Sequence, residues 1–225
     1  MPSIRWLGHA CFALEQDKDL VLLDPFIKDN PSLPQKPKLN PTLILVTHGH
    51  FDHFGDALDI SKASGATIHT TPELAGYCES QGAKATGSHM GGMVKYPFGW
   101  VKLVPAFHSS SLPNGTTMGN PVGMVVRFHN ITFYHSGDTC VFGDMKLIGE
   151  LTPIDVAYLP VGDYYTMGID EAVKAVELLQ PKVAIPGHFG TWPLLNPDAQ
   201  QFKQKAEAKT KTRVVILKPG ETYQA

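Results

Sequence analysis

The sequence offers little covalent reinforcement. Its 225 residues include only three cysteines, Cys11, Cys78 and Cys140, an odd number with no C-x-x-C spacing. A closed disulfide framework is excluded, and reduced thiols in a reducing compartment fit best. Cys140 reads as a small buried apolar filler. Excess basic charge is also missing: 19 Lys and Arg stand against 21 Asp and Glu, with both signs interspersed and a net charge of −2. Without a basic stripe to neutralise phosphates, nucleic acid is not expected as a partner. No apolar run approaches the roughly 20 residues that span a bilayer. The opening MPSIRWLGHACFALE lacks an apolar core followed by a cleavage site, so a cytoplasmic location is the default expectation. There is no G-x-S-x-G elbow for a serine nucleophile, no internal repeat and no linker-like stretch. One domain over residues 1–225 is therefore expected.

What the chain does have is concentrated between Leu43 and Gly55, LILVTHGHFDHFG, where three histidines and one carboxylate fall within six positions. Leu43 to Val46 reads as a short buried strand, and Gly55 with Asp56 as the opening of a helix. Side chains two apart on extended backbone share a side, so His48 and His50 can converge on one ion. Asp52 and His53, on the turn, can face a second. Three more apolar segments end in a metal-type side chain: Val101 to His108, Ile131 to Asp138 and Val183 to His188. In each, Pro or Gly near the strand end lets the backbone turn.

Around these, strands are predicted at Ile4–Leu7, Cys11–Leu14, Leu20–Leu23, Thr67–His69, Ile154–Leu159 and Arg213–Leu217. Val122–Phe128 and Ile131–His135 read as a hairpin about His129-Asn130. Helices are predicted near 56–63, 72–80, 170–179 (with Asp170 near its cap) and 197–208. Residues 25–41 carry five prolines and residues 109–121 are rich in turn formers; both read as loops shaping a pocket. Phe51, Phe107, Tyr164 and Trp192 are candidate lining. Strands dominate the first part and strand–helix alternation the second, so mixed sheets with outer helices are expected.

The order T-H-G-H-F-D-H, then His108, then Ser-Gly-Asp138-Thr, then Pro-Gly-His188 resembles the metallo-β-lactamase superfamily over essentially the whole chain. The segments Trp6-Leu-Gly-His-Ala-Cys-Phe, Leu23-Asp-Pro-Phe and Pro186-Gly-His-Phe-Gly-Thr-Trp-Pro are similar to its small metal-dependent hydrolases. Those are related to ascorbate 6-phosphate lactonase and to the phospholipase D acting on N-acyl phosphatidylethanolamines. The resemblance implies an α/β fold, a four-layer αβ/βα sandwich of two mixed β-sheets. It also implies two divalent metal ions: His48, His50 and His108 on the first, Asp52, His53 and His188 on the second, and Asp138 bridging them. Zn²⁺ suits these nitrogen and oxygen donors best, and Mn²⁺ or iron can use the same groups.

Asp24 is a candidate to fix a ligand histidine's tautomer, and His9 and Asp163 are candidates for supporting or substrate-facing roles. His69, His89, His129 and His135 are read as non-ligands. The chemistry implied is hydrolysis of a small ester, lactone or phosphodiester by a hydroxide between the metals, with Asp52 as proton carrier. The competing readings are iron-dependent redox chemistry on the same fold and a non-catalytic metal-binding module. The partner expected is a small-molecule substrate. Oligomeric state is not legible in the sequence, and the resemblance admits a homo-oligomer.

Overall fold

The computed structural model describes residues 1–225. In chain order the elements are β1 (Ser3–Trp6), β2 (Phe12–Gln16), β3 (Asp19–Leu23), β4 (Leu43–Leu45), α1 (Phe51–Phe54), α2 (Ala57–Ser64), β5 (Thr67–Thr70), α3 (Pro72–Ser80) and β6 (Ala85–Gly87). Then follow β7 (Met93–Tyr96), β8 (Gly99–Pro105), β9 (Val122–Phe128), β10 (Ile131–His135), α4 (Met145–Leu151), β11 (Val156–Pro160), α5 (Ile169–Leu179), β12 (Val183–Gly187), α6 (Ala199–Lys209), β13 (Arg213–Val214) and β14 (Thr222–Gln224).

The strands form two seven-stranded sheets, ordered β14-β1-β2-β3-β4-β5-β6 and β13-β12-β11-β10-β9-β8-β7. Both are mixed. The β1–β2–β3 meander is antiparallel, and β3 to β6 are parallel. Likewise β7 to β10 are antiparallel, and β10 to β13 are parallel.

Period-2 alternation sorts each strand's side chains between layers. Val156, Tyr158, Val183 and Ile185 join Ile4, Phe12, Val21 and Leu43 of the other sheet in the inter-sheet core. Their neighbours Ala157, Leu159 and Ala184 face outward onto Met145 of α4, Val173 and Val176 of α5, and Phe202 of α6. On the opposite flank, Ile44 and Ile68 pack against Ala57 of α2 and Leu74 and Cys78 of α3. The result is helices, sheet, sheet, helices, the sandwich expected from the sequence.

Several details depart from expectation. α1 begins inside the histidine motif, because the His50 carbonyl accepts from His53 N at 3.0 Å and Phe54 N at 2.8 Å. Asp170 does not cap α5, whose N-cap is Gly168. Cys140 is exposed, not a buried filler. The strand predicted at 213–217 keeps only Arg213–Val214. The edge strands β7 and β14 are four and three residues long and place only Tyr96 and Tyr223 against the inter-sheet core, too short a pattern for periodicity to announce them.

Gly55 ends α1 at φ +39°, where a Cβ would sit 2.5 Å from the Pro25 carbonyl oxygen. Asp56 N donates to that same oxygen at 2.8 Å. Gly55→Ala is therefore expected to lower unfolding free energy by about 2 kcal/mol or more. A shift of the urea midpoint without a change in slope would show it.

Candidate metal centre

All the histidine and aspartate side chains singled out at strand ends follow strands that finish at one edge of the sandwich, although Asp163, after β11, turns away from the others. The topology explains this. Strands β1 and β3 run the same way because both are antiparallel to β2, and β4 is parallel to β3. In the other sheet β8 and β10 run the same way because both are antiparallel to β9, and β12 follows in parallel register. His9, Asp24, His48, His108, Asp138 and His188 each follow the C-terminal end of one of these strands. Three of them, His9, Asp24 and His188, are among the seven non-glycine residues with positive φ, at 55°, 42° and 56°. Such backbone costs about 1–3 kcal/mol each and persists where the surroundings impose it.

The donor atoms fall into three overlapping groups: His48, His50 and His108; His9, Asp52, His53 and His188; and His48, His53 and Asp138, each within 4.8 Å. His48 Nε2 and His50 Nδ1 are 3.0 Å apart. That approaches the edge of about 3.3 Å that a zinc tetrahedron with bonds of about 2.0–2.1 Å would have. Asp138 is central, 3.2 Å from His53 Nε2, 3.0 Å from His188 Nε2 and 3.7 Å from His108 Nε2.

Whether these residues fit metal ions is decided by their unmet polar atoms. His53 Nε2, His188 Nε2 and Asp138 Oδ1 are buried without a hydrogen-bond partner, although they nearly touch. Buried polar atoms are rarely left in this way. Converging lone pairs without hydrogen-bond geometry suit a cation among them, and the donor set fits.

Asp24 anchors two of the histidines. Its fully buried carboxylate accepts from Thr47 N at 2.8 Å, Thr47 Oγ1 at 2.7 Å and His53 Nδ1 at 2.7 Å. Because Thr47 donates its hydroxyl hydrogen to Asp24, Thr47 Oγ1 accepts from His48 Nδ1 at 3.0 Å. One carboxylate thereby fixes both tautomers, leaving Nε2 of His48 and of His53 as lone-pair donors. His9 is fully buried, with Nε2 at 2.9 Å from Asp52 Oδ2 and Nδ1 at 2.8 Å from Thr191 Oγ1. An ionised carboxylate only accepts, so His9 carries its hydrogen on Nε2 and Thr191 donates to Nδ1.

The charges are strongly coupled. Without an ion, burial opposes a proton on His53, but Asp138 and Asp24 outweigh it and raise its pKa well above the ordinary value; an ion at Nε2 would take the place of that proton. Burial also opposes charge on Asp138, yet His188 and His53 hold it well below the carboxylate range. Asp52 is likewise held low against burial, by the His9 hydrogen bond and His53. Burial, reinforced by His188, lowers His9 to about 4. Burial also lowers His48, His50 and His108.

A cavity of about 700 Å³ opens over this edge, lined by His50, Asp52, His108, Asp138, His188 and Ser109 together with Phe51, Tyr165, Trp192, Pro193 and Leu194. Phe51 and Trp192 line it as expected; Phe107 and Tyr164 do not. Of the two predicted pocket loops, only Ser109 reaches it. Residues 25–41 pack inward through Ile27 and Leu33 and shape the cavity from behind, through Phe26, whose ring lies against those of Phe51 and Trp192. His9 does not line the cavity, so a substrate-facing role is not what its position offers. Asp163 is exposed in a left-handed turn and borders a separate cleft with Gly168 and Lys205. It cannot support this site. His135 is buried, Nε2 donating to the Ala10 carbonyl and Nδ1 accepting from Gly137 N; His69 bonds Ser88 and Tyr96. Neither converges on the cluster. Thr47, which orients His48, and Thr191 and Pro193 fall inside the segments T-H-G-H-F-D-H and Pro-Gly-His-Phe-Gly-Thr-Trp-Pro, but nothing in the sequence assigns them these roles, and Leu194 lies just beyond.

Comparison with known proteins agrees with this geometry. A family profile described as "Beta-lactamase superfamily domain" matches residues 3–188. A protein of Methanosarcina mazei called a UPF0173 metal-dependent hydrolase is 46% identical over 99% of this chain and 98% of its own length. One of the same description from Archaeoglobus fulgidus is 48% identical over 99% and 98%. The structure of a metallo hydrolase from Ignicoccus hospitalis superposes with a TM-score of 0.91 at 34% identity, covering 100% of this chain and 99% of that one. The chain thus belongs to the beta-lactamase superfamily domain family, among relatives described as metal-dependent hydrolases.

Proposed function

We propose that the protein is a binuclear metal-dependent hydrolase of a small ester, lactone or phosphodiester, with zinc as the preferred ion. The observation that carries this reading is the convergence of buried, partnerless donor atoms on His53, His188 and Asp138 beside the His48–His50–His108 group. In this reading His48, His50 and His108 would hold one ion and Asp52, His53 and His188 the other, with Asp138 available to both. When bound, such ions polarise the scissile carbonyl or phosphoryl oxygen and lower the pKa of water from about 15.7 toward 7. Nitrogen and oxygen donors without thiolate favour Zn²⁺, while Mn²⁺ and iron compete by availability.

The chain's own residues supply the rest. Asp24 and Thr47 keep two ligand imidazoles in the metal-binding tautomer. Asp52, ionised at neutral pH and facing the cavity, takes a proton from the attacking water and returns it to the leaving oxygen. His9 positions Asp52 by occupying Oδ2. His9→Leu is expected to lower kcat about tenfold or more, and His9→Gln, which keeps an N–H donor, to recover part of it. Equal losses in both variants would mean that His9 only packs.

The decisive test uses protein loaded with zinc and p-nitrophenyl acetate as a generic ester. Turnover is expected to stop on chelation, resume on zinc addition and be lost in His50→Ala. Activity that survives complete metal removal contradicts the reading.

A further inference from the structure

The metal reading above leaves the substrate's chemistry open, because two cations polarise a carbonyl and a phosphoryl oxygen alike. The remainder of the cavity is less neutral on the point. We infer that the substrate is an uncharged carboxylic ester or lactone carrying an apolar body, and not a phosphodiester anion; the inference rests on the hydrolase reading.

No lysine or arginine lines the cavity; apart from the two ions of the reading above, the acidic and basic side chains on it are Asp52, Asp138 and the histidines of the cluster. Sites that hold phosphate esters through the transition state clamp the non-bridging oxygens with Arg, Lys or metal ions, and here the ions would do so without help from a cationic side chain. A phosphoryl oxygen not held by an ion would find no cationic side chain on the wall.

That wall is substantial. Phe51, Tyr165 and Leu194 are 56%, 54% and 60% exposed although large and apolar or aromatic, and all three border the same opening. Exposed apolar surface gathered at one mouth marks a binding surface more often than scattered single residues do. Its volume of about 700 Å³ suits a small organic molecule.

The wall is also held in place. Ring centroids of Phe26, Phe51 and Trp192 form a triangle with sides of 6.0, 6.1 and 5.9 Å. The turn bearing Trp192, Pro193 and Leu194 is closed by Leu195 N to the Trp192 carbonyl at 2.9 Å and Gly190 N to the Leu195 carbonyl at 2.6 Å, with Leu195 fully buried beneath. An ordered wall loses little entropy when an apolar group docks on it.

The test uses the zinc-loaded protein with p-nitrophenyl acetate, butyrate and octanoate, and with bis(p-nitrophenyl) phosphate. kcat/KM is expected to rise about three- to fourfold per added methylene until the wall is covered. Phe51→Ala and Leu194→Ala are expected to flatten that slope. Calorimetric titration supplies a second readout: octanamide, uncharged and slow to hydrolyse, is expected to bind more tightly than dibutyl phosphate, and Leu194→Lys to narrow or reverse the difference. A flat chain-length series, or tighter binding of dibutyl phosphate to the unmodified protein, would overturn the inference while leaving a metal-dependent hydrolase standing. Absence of turnover with every substrate, in protein carrying both ions, would bring down the hydrolase reading and the inference with it.

Discussion

Asp24→Asn is expected to weaken zinc binding about 10- to 100-fold and to destabilise the metal-free protein by about 3–5 kcal/mol, although it removes no proposed ligand. The substitution is isosteric, so packing is preserved and only the hydrogen-bond chemistry changes. In the native protein one carboxylate accepts from Thr47 N, Thr47 Oγ1 and His53 Nδ1. An amide in its place can still accept from Thr47 N, but its NH₂ then faces two donors. His53 loses the partner that fixes its tautomer, and through Thr47 so does His48.

The stability loss depends on pH in a definite direction. Asp24 is depressed in the folded state, burial notwithstanding, by His53 and its hydrogen bond. Its contribution is therefore complete above about pH 4, its unfolded value, and lost as pH falls through the folded one. His53 is raised, so its contribution is complete below about pH 6.5 and lost as pH rises through its folded value. The variant's deficit should be greatest between about pH 4 and 6.5 and shrink at alkaline pH. Urea denaturation of chelated protein across that range measures it. A deficit that instead grows steadily above pH 7 would contradict the pairing.

Asp52→Asn is expected to reduce kcat by about 10²- to 10⁴-fold, the range for a positioned proton carrier. Held well below the usual carboxylate range, Asp52 enters the reaction ionised, with an oxygen free to orient the attacking water and accept from it. Asparagine keeps an oxygen for His9 Nε2 but cannot take a proton. Steady-state kinetics at saturating zinc isolates the effect from any weakened binding. A kcat within a few-fold of the native enzyme would remove Asp52 from proton transfer and leave it a metal ligand alone.

The proposed metal ligands were legible in the sequence because their spacing is local: H-x-H-x-D-H follows a buried strand, and His108, Asp138 and His188 each close an apolar run. Mixed sheets with outer helices were legible in the order of strand and helix segments, and the four-layer sandwich in the family resemblance. What escaped was set by tertiary contacts. β7 and β14 are exposed edge strands whose partners, not their side chains, define them. The short helix α1 exists because His50 offers its carbonyl to two amides, which no periodicity announces. Asp163 looks like Asp24 in sequence, each following a strand beside Gly or Pro, yet its turn carries it to another cleft. Thr47 and Thr191 lie within the quoted motifs, but what their hydroxyls bond is set by tertiary contact with Asp24, His48 and His9. Both predicted loops were real, but the cavity wall came from Trp192 to Leu194.

The claim on which the mechanism depends is that two cations occupy one cluster through a shared Asp138. Zinc titration of chelated protein followed by elemental analysis tests it directly. The account predicts two ions per chain in the native protein and one or none in Asp138→Ala, with hydrolysis tracking the second ion. A native chain that saturates with no ion or only one, and hydrolyses esters regardless, would contradict it.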